Sequence, residues 1–376
     1  MTDAPERPDS AVHPDGGAPE VVIDLIEQVD AEWLTSALRH EGHDVRVSSL
    51  TTSPVGTGQM GCSYRVVPTY DGDDGGLPAS FVVKLPARDP DKRGLAAGIY
   101  RTEVAFYRDI ADTVDIGMPH CFHSALSTNW NEFVLLMEDL APRQQGDQIA
   151  GCSLDEAEAA VVNLAGLHGP RWCDPTLREL DWIAPVAGDG ATMLGLVLRD
   201  ATNRYIERYQ DRIDDEDREL LDRLPDAVPT WVMSREERFA PLHGDYRLDN
   251  LLFAPGDRSD VDRPVATVDW QTVTLGLPGR DLAYFLSTGL QPELRRSHED
   301  DLVRTYHDAL LEYGVQDHSL EQCFDDYRFG MLQGPLIGII GAAYGEPTER
   351  GDDMFLAMSS RFCDAIRDLH TLELIG

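Results

Sequence analysis

The pattern of hydrophobic and polar positions changes near residue 141. Before that point, short runs rich in β-branched and aromatic residues alternate with turn segments such as the glycine- and aspartate-rich stretch 71–76. Such runs are typical of strands in a small sheet. Helices are predicted over 30–39, with Asp30 as the N-cap, and over 100–110. The predicted strands cover residues 45–50, 63–69, 80–85 and 132–137.

From residue 141 onward the apolar spacing is that of amphipathic helices. Ser153 and Glu156 form a capping-box pattern that opens the first of them. Further helices are predicted over residues 191–212, 216–224, 292–313, 320–340 and 353–369.

This change of pattern predicts the domain organisation. A chain of 376 residues is long enough for two sizeable lobes. We predict an α+β protein in which residues 1–20 form a disordered tail and residues 21–141 a β-rich N-lobe. Residues 142–376 are predicted to form an α-helical C-lobe.

The charge restricts the partners, because the formal net charge is −35 at pH 7. A surface this acidic repels nucleic acid and anionic lipid, so we expect neither nucleic acid nor a membrane as a partner. It modestly favours a cationic small-molecule substrate, although acidity also simply promotes solubility.

The six cysteines are scattered without a C-x-x-C pair, which argues against zinc and against a secreted disulfide scaffold. The first 20 residues lack the apolar core of a signal peptide. The apolar stretch 330–345 is short, rich in glycine and interrupted by Gln333, so it predicts a buried helix rather than a membrane span. We expect a cytoplasmic protein.

The segment from Leu242 to Asn250 carries the strongest chemical signal. Asp245 lies five residues before Asn250, and Asp269 follows 19 residues after Asn250. Protein kinases use an Asp, an Asn and a second Asp in this order for phosphoryl transfer, which requires an oriented hydroxyl and hard oxygen ligands for a metal. We therefore predict that Asp245 is the catalytic base and that Asn250 and Asp269 hold Mg²⁺.

Three neighbours of this loop have candidate roles. Arg247 could place its guanidinium near the transferred phosphoryl group, or form a surface salt bridge. His243 is predicted to be a structural residue that fixes the loop. Asp281 is either a support that hydrogen-bonds to the loop backbone or the N-cap of the next helix.

In the N-lobe, Gly56, Gly58 and Gly61 lie between two predicted strands. Closely spaced glycines let backbone N–H groups approach phosphates, although a hairpin turn also needs glycine. Cys62 stands where a P-loop requires Lys, so a Walker-A motif is excluded.

The strand predicted over residues 80–85 contains Lys84, which with Lys92 makes up all the lysine in the chain. In kinases such a strand lysine pairs with nucleotide phosphates and with a helix Glu. Glu103 is the preferred partner, with Glu132 and Glu138 as alternatives. Otherwise Lys84 would be an edge-strand residue that points to water.

An apolar strand ends in two acids at Glu138 and Asp139. In a kinase-like chain this segment connects the lobes, and the backbone of Glu138, Asp139 and Leu140 would hydrogen-bond the adenine. The alternative is a buried strand that leads into an N-cap.

Together these residues resemble the aminoglycoside phosphotransferase and choline kinase superfamily, and within it the ecdysteroid kinase-like branch. The resemblance covers roughly residues 45–345. It implies a bilobal protein-kinase-like fold, ATP or sometimes GTP as donor, Mg²⁺, and a small hydroxylated acceptor. Acceptors of the superfamily include aminoglycosides, choline, steroids and hydroxyacyl groups, so both the acceptor and the oligomeric state stay open. The resemblance rests on the residues named above and on segments 164–168 and 268–271.

Two other functions compete with a small-molecule kinase. A pseudokinase would bind nucleotide without transferring phosphate, but it usually lacks an essential residue, and here every role has a candidate. A protein kinase needs an activation segment, for which the separation of 12 positions from Asp269 to Asp281 leaves little room.

Overall fold

A computed structural model describes residues 22–56, 60–256, 261 and 263–375. The predicted tail and Gly58 lie outside the described residues. The chain divides into two compact units, the first comprising Met1–Ala111 with Pro119–Leu140 and the second Asp112–Met118 with Ala141–Gly376.

The first unit is built on an antiparallel sheet. Its strands are β1 (Val47–Val55), β2 (Gly61–Tyr70), β3 (Phe81–Pro86), β4 (Cys121–Leu126) and β5 (Phe133–Glu138). They lie in the spatial order β1-β2-β3-β5-β4. Helices α1 (Ala31–His40) and α2 (Pro90–Asp109) accompany the sheet, and the side chains of Leu34 and Leu38 on α1 share a buried core with Val66, Phe81 and Val83.

Local signals account for both helices of this unit. Asp30 caps α1, since its carboxylate accepts the N–H of Trp33 at 2.8 Å as predicted. Helix α2 begins at Pro90 rather than at residue 100, because Asp89 caps it and Pro90 suits the first helical position. Strand β4 was not predicted, since its mixed polar and apolar residues alternate only weakly.

The second unit is mainly helical. The capping box of α3 forms as predicted, with Glu156 donating its N–H to Ser153 Oγ at 3.3 Å and accepting the Ser153 N–H at 3.0 Å. The helices are α3 (Leu154–His168), α4 (Asp189–Tyr209), α5 (Asp215–Val232), α6 (Gly279–Gly289), α7 (Pro292–Glu312), α8 (Leu320–Phe329), α9 (Gln333–Tyr344) and α10 (Glu349–Asp368). The short strands are β6 (Gln144–Gln145), β7 (Ala240–Leu242), β8 (Leu251–Phe253), β9 (Val265–Thr267) and β10 (Thr274–Gly276).

Two helix predictions need correction. Helix α5 continues through Pro225 and Pro229, although proline normally ends a helix. Its buried residues, among them Val228 and Trp231, extend beyond both prolines, so packing outweighs the lost backbone hydrogen bonds. The helix predicted over 320–340 is divided by a 3₁₀ turn at Gly330–Leu332 into α8 and α9.

Within the part of the chain that the structure describes, no helix combines the length and the apolar character needed to cross a membrane.

Candidate active site

Short antiparallel strands of the second unit bring the predicted metal ligands together. In the pairing of β8 with β9, Leu251 lies opposite Thr267. Directly after β9, Val268 donates its backbone N–H to the carbonyl of Asn250 at 3.0 Å. Asn250 therefore lies beside the segment that leads into Asp269, although 19 residues separate the two in sequence.

A buried carboxylate holds the turn that precedes Asp245. Asp281 accepts the backbone N–H groups of His243 at 2.6 Å and of Gly244 at 3.0 Å, and it is completely buried. It is the third residue of α6, whose N-cap is Pro278, so the N-cap interpretation of Asp281 is wrong. These two charge-assisted hydrogen bonds fasten the loop to the first turn of α6.

Glycine is required at position 244. Gly244 has a φ of +81°, in the left-handed region, and a Cβ there would lie 2.4 Å from the carbonyl oxygen of Thr272. Thr272 also donates its hydroxyl to the carbonyl of His243 at 2.8 Å. Any side chain at 244 would therefore separate the loop from the segment that follows Asp269.

His243 joins the same two segments through its ring. Its Nε2 donates to the carbonyl of Val268 at 3.1 Å, and its Nδ1 accepts the N–H of Asp245 at 3.3 Å. One neutral tautomer satisfies both hydrogen bonds. The buried ring also packs on Trp270, with centroids 4.8 Å apart. Both ring nitrogens of His243 are therefore engaged with the backbone of these two segments.

Three side-chain donors orient the carboxylate of Asp245. Tyr284 on α6 donates its hydroxyl to Oδ1 at 2.8 Å. Asn250 donates to Oδ2 at 3.0 Å, and Arg247 donates from Nε at 3.1 Å. Burial, followed by the nearby charge of Asp245, raises the pKa of Tyr284 well above its usual value, so its hydroxyl stays protonated at neutral pH.

The two predicted metal ligands present oxygen atoms. The amide nitrogen of Asn250 donates both to the carboxylate of Asp245 and to its carbonyl at 2.9 Å, so neither of these hydrogen bonds uses the amide oxygen. Asp269 has φ and ψ of 69° and 72°, a left-handed conformation that is costly for a residue other than glycine and that clusters at functional sites. An amide oxygen and a carboxylate fit Mg²⁺.

Arg247 lies between two carboxylates rather than on the open surface. Besides Asp245, its guanidinium contacts Asp249 at 3.2 Å, and Arg350 on α10 binds Asp249 through two hydrogen bonds of 3.0 Å. Burial lowers the pKa of Arg247, but the nearby Asp245, Tyr284 and Asp249 together outweigh this effect and the net pKa is raised. The surface salt bridge considered for Arg247 is therefore not what the structure shows.

Sequence reasoning missed several residues that hold the loop. Gln333, at the start of α9, donates to the carbonyl of Gly244 at 2.7 Å. Its amide oxygen accepts two hydrogen bonds from Arg280, at 3.0 and 2.7 Å. Burial lowers the pKa of Arg280 to about 10, and its guanidinium stacks over Trp231. The one sign of Gln333 in the sequence was that it interrupts the apolar stretch 330–345.

Gln148 supports the other side of the loop. Its side chain accepts the N–H of Leu248 at 2.8 Å and donates to the carbonyl of Thr288 at 2.9 Å. Its own N–H donates to Asp249 at 3.3 Å. As an isolated polar residue in a loop, Gln148 gave no signal in the sequence, and the same holds for Tyr284 on α6.

In the first unit, Lys84 forms an ion pair with Glu103. The distance from Nζ to Oε1 is 2.6 Å, and the two side chains are 12% and 1% exposed. Strand β3 pairs with β2 on one side and with β5 on the other, so Lys84 is in a central strand and the edge-strand alternative is wrong. The alternative partner Glu138 instead accepts the N–H of His120 at 3.3 Å.

The glycine segment lies between β1 and β2. Gly56 has a φ of +71°. A Cβ on Gly61 would lie 3.0 Å from the carbonyl of Leu85 and 3.7 Å from Cε of Lys84, so this glycine permits close approach beside the lysine. Tyr100 on α2 donates its hydroxyl to the carbonyl of Met60 at 2.6 Å and anchors the end of the segment.

The end of β5 is held by side chains. The carboxylate of Asp139 accepts hydrogen bonds from Arg65 at 2.5 Å and from Ser80 at 2.7 Å. The backbone N–H of Glu138 donates to His120 at 2.8 Å. This N–H is therefore engaged within the sheet, and an adenine contact would involve other backbone groups of Glu138, Asp139 or Leu140.

A comparison with known families matches part of the second unit. Residues 191–316 match the ecdysteroid kinase-like family. The match includes Asp245, Asn250 and Asp269 but not Lys84. It confirms the predicted resemblance to this branch of the superfamily.

A curated protein is similar to part of the chain. Acyl-CoA dehydrogenase family member 10 of Mus musculus is 36% identical over 98 residues, which are 25% of this chain and 9% of the mouse protein. The match thus spans a small fraction of that relative's length.

Solved structures extend the likeness to both units. Choline kinase from Cryptosporidium parvum superimposes with a TM-score of 0.54 at 12% identity, covering 86% of this chain and 90% of that one. The GDP complex of aminoglycoside 2′-phosphotransferase-IIIa gives a TM-score of 0.51 at 14% identity, covering 90% and 99%. Identities this low show the fold alone, and the predicted protein-kinase-like fold is confirmed.

Proposed function

We propose that this protein transfers the γ-phosphoryl group of ATP, or of GTP, to a hydroxyl group of a small molecule. The observation that carries the proposal is the carboxylate of Asp245, which three donors fix in one orientation. A carboxylate held in this way can orient an alcohol and take its proton as the bond to phosphorus forms. The bond from that phosphorus to the leaving oxygen of the nucleotide then breaks.

The loop contacts support different roles for Arg247 and Asn250. Because Asp245 and Asp249 both engage the guanidinium of Arg247, we assign Arg247 to positioning Asp245 and not to the transferred phosphoryl group. Asn250 has two functions. Its amide nitrogen holds Asp245, and its amide oxygen would bind Mg²⁺ together with Asp269. Mg²⁺, when bound, supplies charge neutralisation on the phosphates.

Lys84 is the proposed phosphate-binding residue of the first unit. Its pairing with Glu103 keeps the ammonium in place in a central strand, which supports this role. The backbone at Gly56 and Gly61 is proposed to approach the phosphates. The connector from Glu138 to Leu140 is proposed to approach the base.

The surroundings of Asp245 in the second unit support an acceptor that has an apolar part. Tyr284 belongs to a buried apolar cluster, and the carboxylate of Asp249, in the same loop as Asp245, is already paired with Arg247 and Arg350. We therefore propose an uncharged or amphipathic alcohol in preference to the cationic one that the net charge modestly favours. The apolar cluster comprises Tyr284, Met354 and Met358, with Ile149, Ile337 and Phe355 packed against it.

The test is product mass after incubation of the purified chain with ATP or GTP, Mg²⁺ and a panel of alcohols. The panel contains choline, an aminoglycoside, an ecdysteroid and a hydroxyacyl-CoA, the last because of the name of the curated relative. Asp245→Asn should remove transfer to every acceptor found while nucleotide affinity stays within a few fold. Asp308→Asn, at an exposed acid of α7, is the matched control.

Each contrary outcome rejects a different part of the proposal. Full activity of Asp245→Asn would reject the catalytic base. Phosphorylated protein without a small-molecule product would reject the acceptor class. Tight nucleotide binding without transfer to any acceptor would identify a pseudokinase.

A further inference from the structure

Two histidines and a glutamate meet in the first unit, outside the residues assigned above. His40 is the last residue of α1, Glu41 follows it as the C-cap, and His123 lies in the edge strand β4. Oε1 of Glu41 is 3.3 Å from Nδ1 of His40 and 3.4 Å from Nδ1 of His123. One ligand atom from each residue lies within 4.8 Å of the other two.

These separations suit a shared metal ion better than they suit hydrogen bonds. An N–H···O hydrogen bond most often measures about 2.9–3.0 Å, so contacts of 3.3 and 3.4 Å are long. A tetrahedral zinc ion with bonds of about 2.05 Å holds neighbouring ligand atoms about 3.3–3.4 Å apart. The Glu41 oxygen therefore lies at tetrahedral spacing from both histidine nitrogens.

We propose that His40, Glu41 and His123 bind Zn²⁺, with a water molecule completing four-coordination. Two imidazole nitrogens and one carboxylate oxygen favour Zn²⁺ over Mg²⁺, which prefers oxygen ligands alone. The site thus differs in chemistry from the pair Asn250 and Asp269. Because the ligands come from α1 and β4, the metal would join this helix to the edge strand of the sheet.

The environment of the three ligands supports this assignment. His123 is only 5% exposed and is fixed by an edge-on contact with Trp33, so one ligand is already in place. His40 and Glu41 are exposed, which leaves a route for the ion. Glu41 and His123 lie 82 positions apart, a spacing that matches no short metal motif, so the sequence alone carries no sign of the site.

The test uses the full chain, freed of metal with a chelator and kept without nucleotide. Calorimetric titration should show one Zn²⁺ per chain, and Co²⁺ should give the visible absorption of a tetrahedral site. Zn²⁺ should also raise the unfolding midpoint, because an ion that binds only the folded state stabilises it. His40→Ala and Glu41→Gln should each weaken Zn²⁺ binding at least about 10-fold.

Two variants serve as controls. His370→Ala changes another exposed histidine that lies beside a glutamate, Glu373, at 3.6 Å. Asp269→Ala removes a proposed Mg²⁺ ligand. Both should bind Zn²⁺ like the parent. His40 and Glu41 are exposed, so their variants decide the question even if His123→Ala does not fold.

Three results would overturn the zinc site. They are absence of stoichiometric Zn²⁺ binding, equal weakening by His370→Ala, and unchanged affinity in both His40→Ala and Glu41→Gln. Loss of binding in Asp269→Ala alone would assign the ion to the other site instead. None of these readouts depends on phosphoryl transfer.

Discussion

At the scale of single residues, the carboxylate of Asp245 depends on one donor from outside its own loop. Tyr284→Phe removes the hydroxyl that donates to Oδ1 and leaves the ring in its buried position. A hydrogen bond to a charged group contributes about 1.5–3 kcal/mol, so we expect kcat to fall about 10- to 100-fold with little change in nucleotide KM.

Steady-state kinetics with a fixed acceptor checks this prediction. Tyr344→Phe is the control, because it removes a hydroxyl that donates to the exposed acid Asp200 at 2.7 Å. If the two variants turned over equally fast, Tyr284 would have no part in orienting the base.

Lys84 provides a second prediction at this scale. Lys84→Ala should lower transfer by orders of magnitude without unfolding the chain, and Lys84→Arg should restore little, because a planar guanidinium does not replace a compact ammonium beside Glu103. Lys92→Ala, which changes the only other lysine in the chain, is the matched control. Rates are compared by ADP release and folding by circular dichroism. A parent-like rate in Lys84→Ala would remove Lys84 from the site.

At the scale of elements, α9 supports the loop around Asp245 through the side chain of Gln333. Gln333→Leu keeps a similar volume but leaves the carbonyl of Gly244 and the guanidinium of Arg280 without their shared partner. We expect the free energy of unfolding to fall by about 2 kcal/mol, which urea denaturation measures. Gln291→Leu, an exposed glutamine that donates to a backbone carbonyl at 2.9 Å, should cost much less. Equal losses would mean that burial of the Gln333 contacts is unimportant.

The ion pair between Asp249 and Arg350 on α10 predicts a pH dependence of stability. Burial raises the pKa of Asp249, but Arg350 and Arg247 outweigh burial and the net pKa is lowered. A carboxyl whose pKa is lower in the folded state stabilises the fold above its unfolded pKa of about 3.9, and this stability is lost as the pH falls through the folded value.

Arg350→Ala should therefore lower the free energy of unfolding by about 1 kcal/mol near neutral pH, since Arg350 itself is largely exposed. The difference from the parent should shrink once the pH falls below about 4. Urea unfolding at several pH values measures it. A difference that stayed constant into acid would assign the effect to packing.

At the scale of the whole molecule, the excess of 67 acidic over 32 basic residues produces self-repulsion. We expect the thermal unfolding midpoint to rise by a few degrees between about 10 mM and about 300 mM NaCl, because salt screens charges more than a Debye length apart. Differential scanning fluorimetry checks this expectation, with sucrose as a control for solutes that carry no charge. A midpoint that falls with salt would show that attractive ion pairs outweigh the repulsion.

The sequence alone determined the features that depend on neighbouring residues. The cap at Asp30 and the box of Ser153 with Glu156 formed as predicted, because their partners lie three residues away. The protein-kinase-like fold and the resemblance to its family were also predicted. Both depend on the order of the strands, the glycine segment and the Asp245 loop along the chain, which the sequence shows directly. The spacing of hydrophobic residues could not predict where α2 begins or where α5 ends, because capping residues and packing decide the ends of a helix.

Only the tertiary structure decided which distant groups meet. In the folded chain Lys84 pairs with Glu103 and not with Glu138. Asp281 accepts hydrogen bonds from the loop backbone. Gln333 and Tyr284 contact the segment around Asp245. Such pairings join residues that lie tens of residues apart, and their side chains are common polar types that carry no local signal. They follow from how buried surfaces pack and from the need of every buried polar group for a partner, which becomes visible only when the chain is folded.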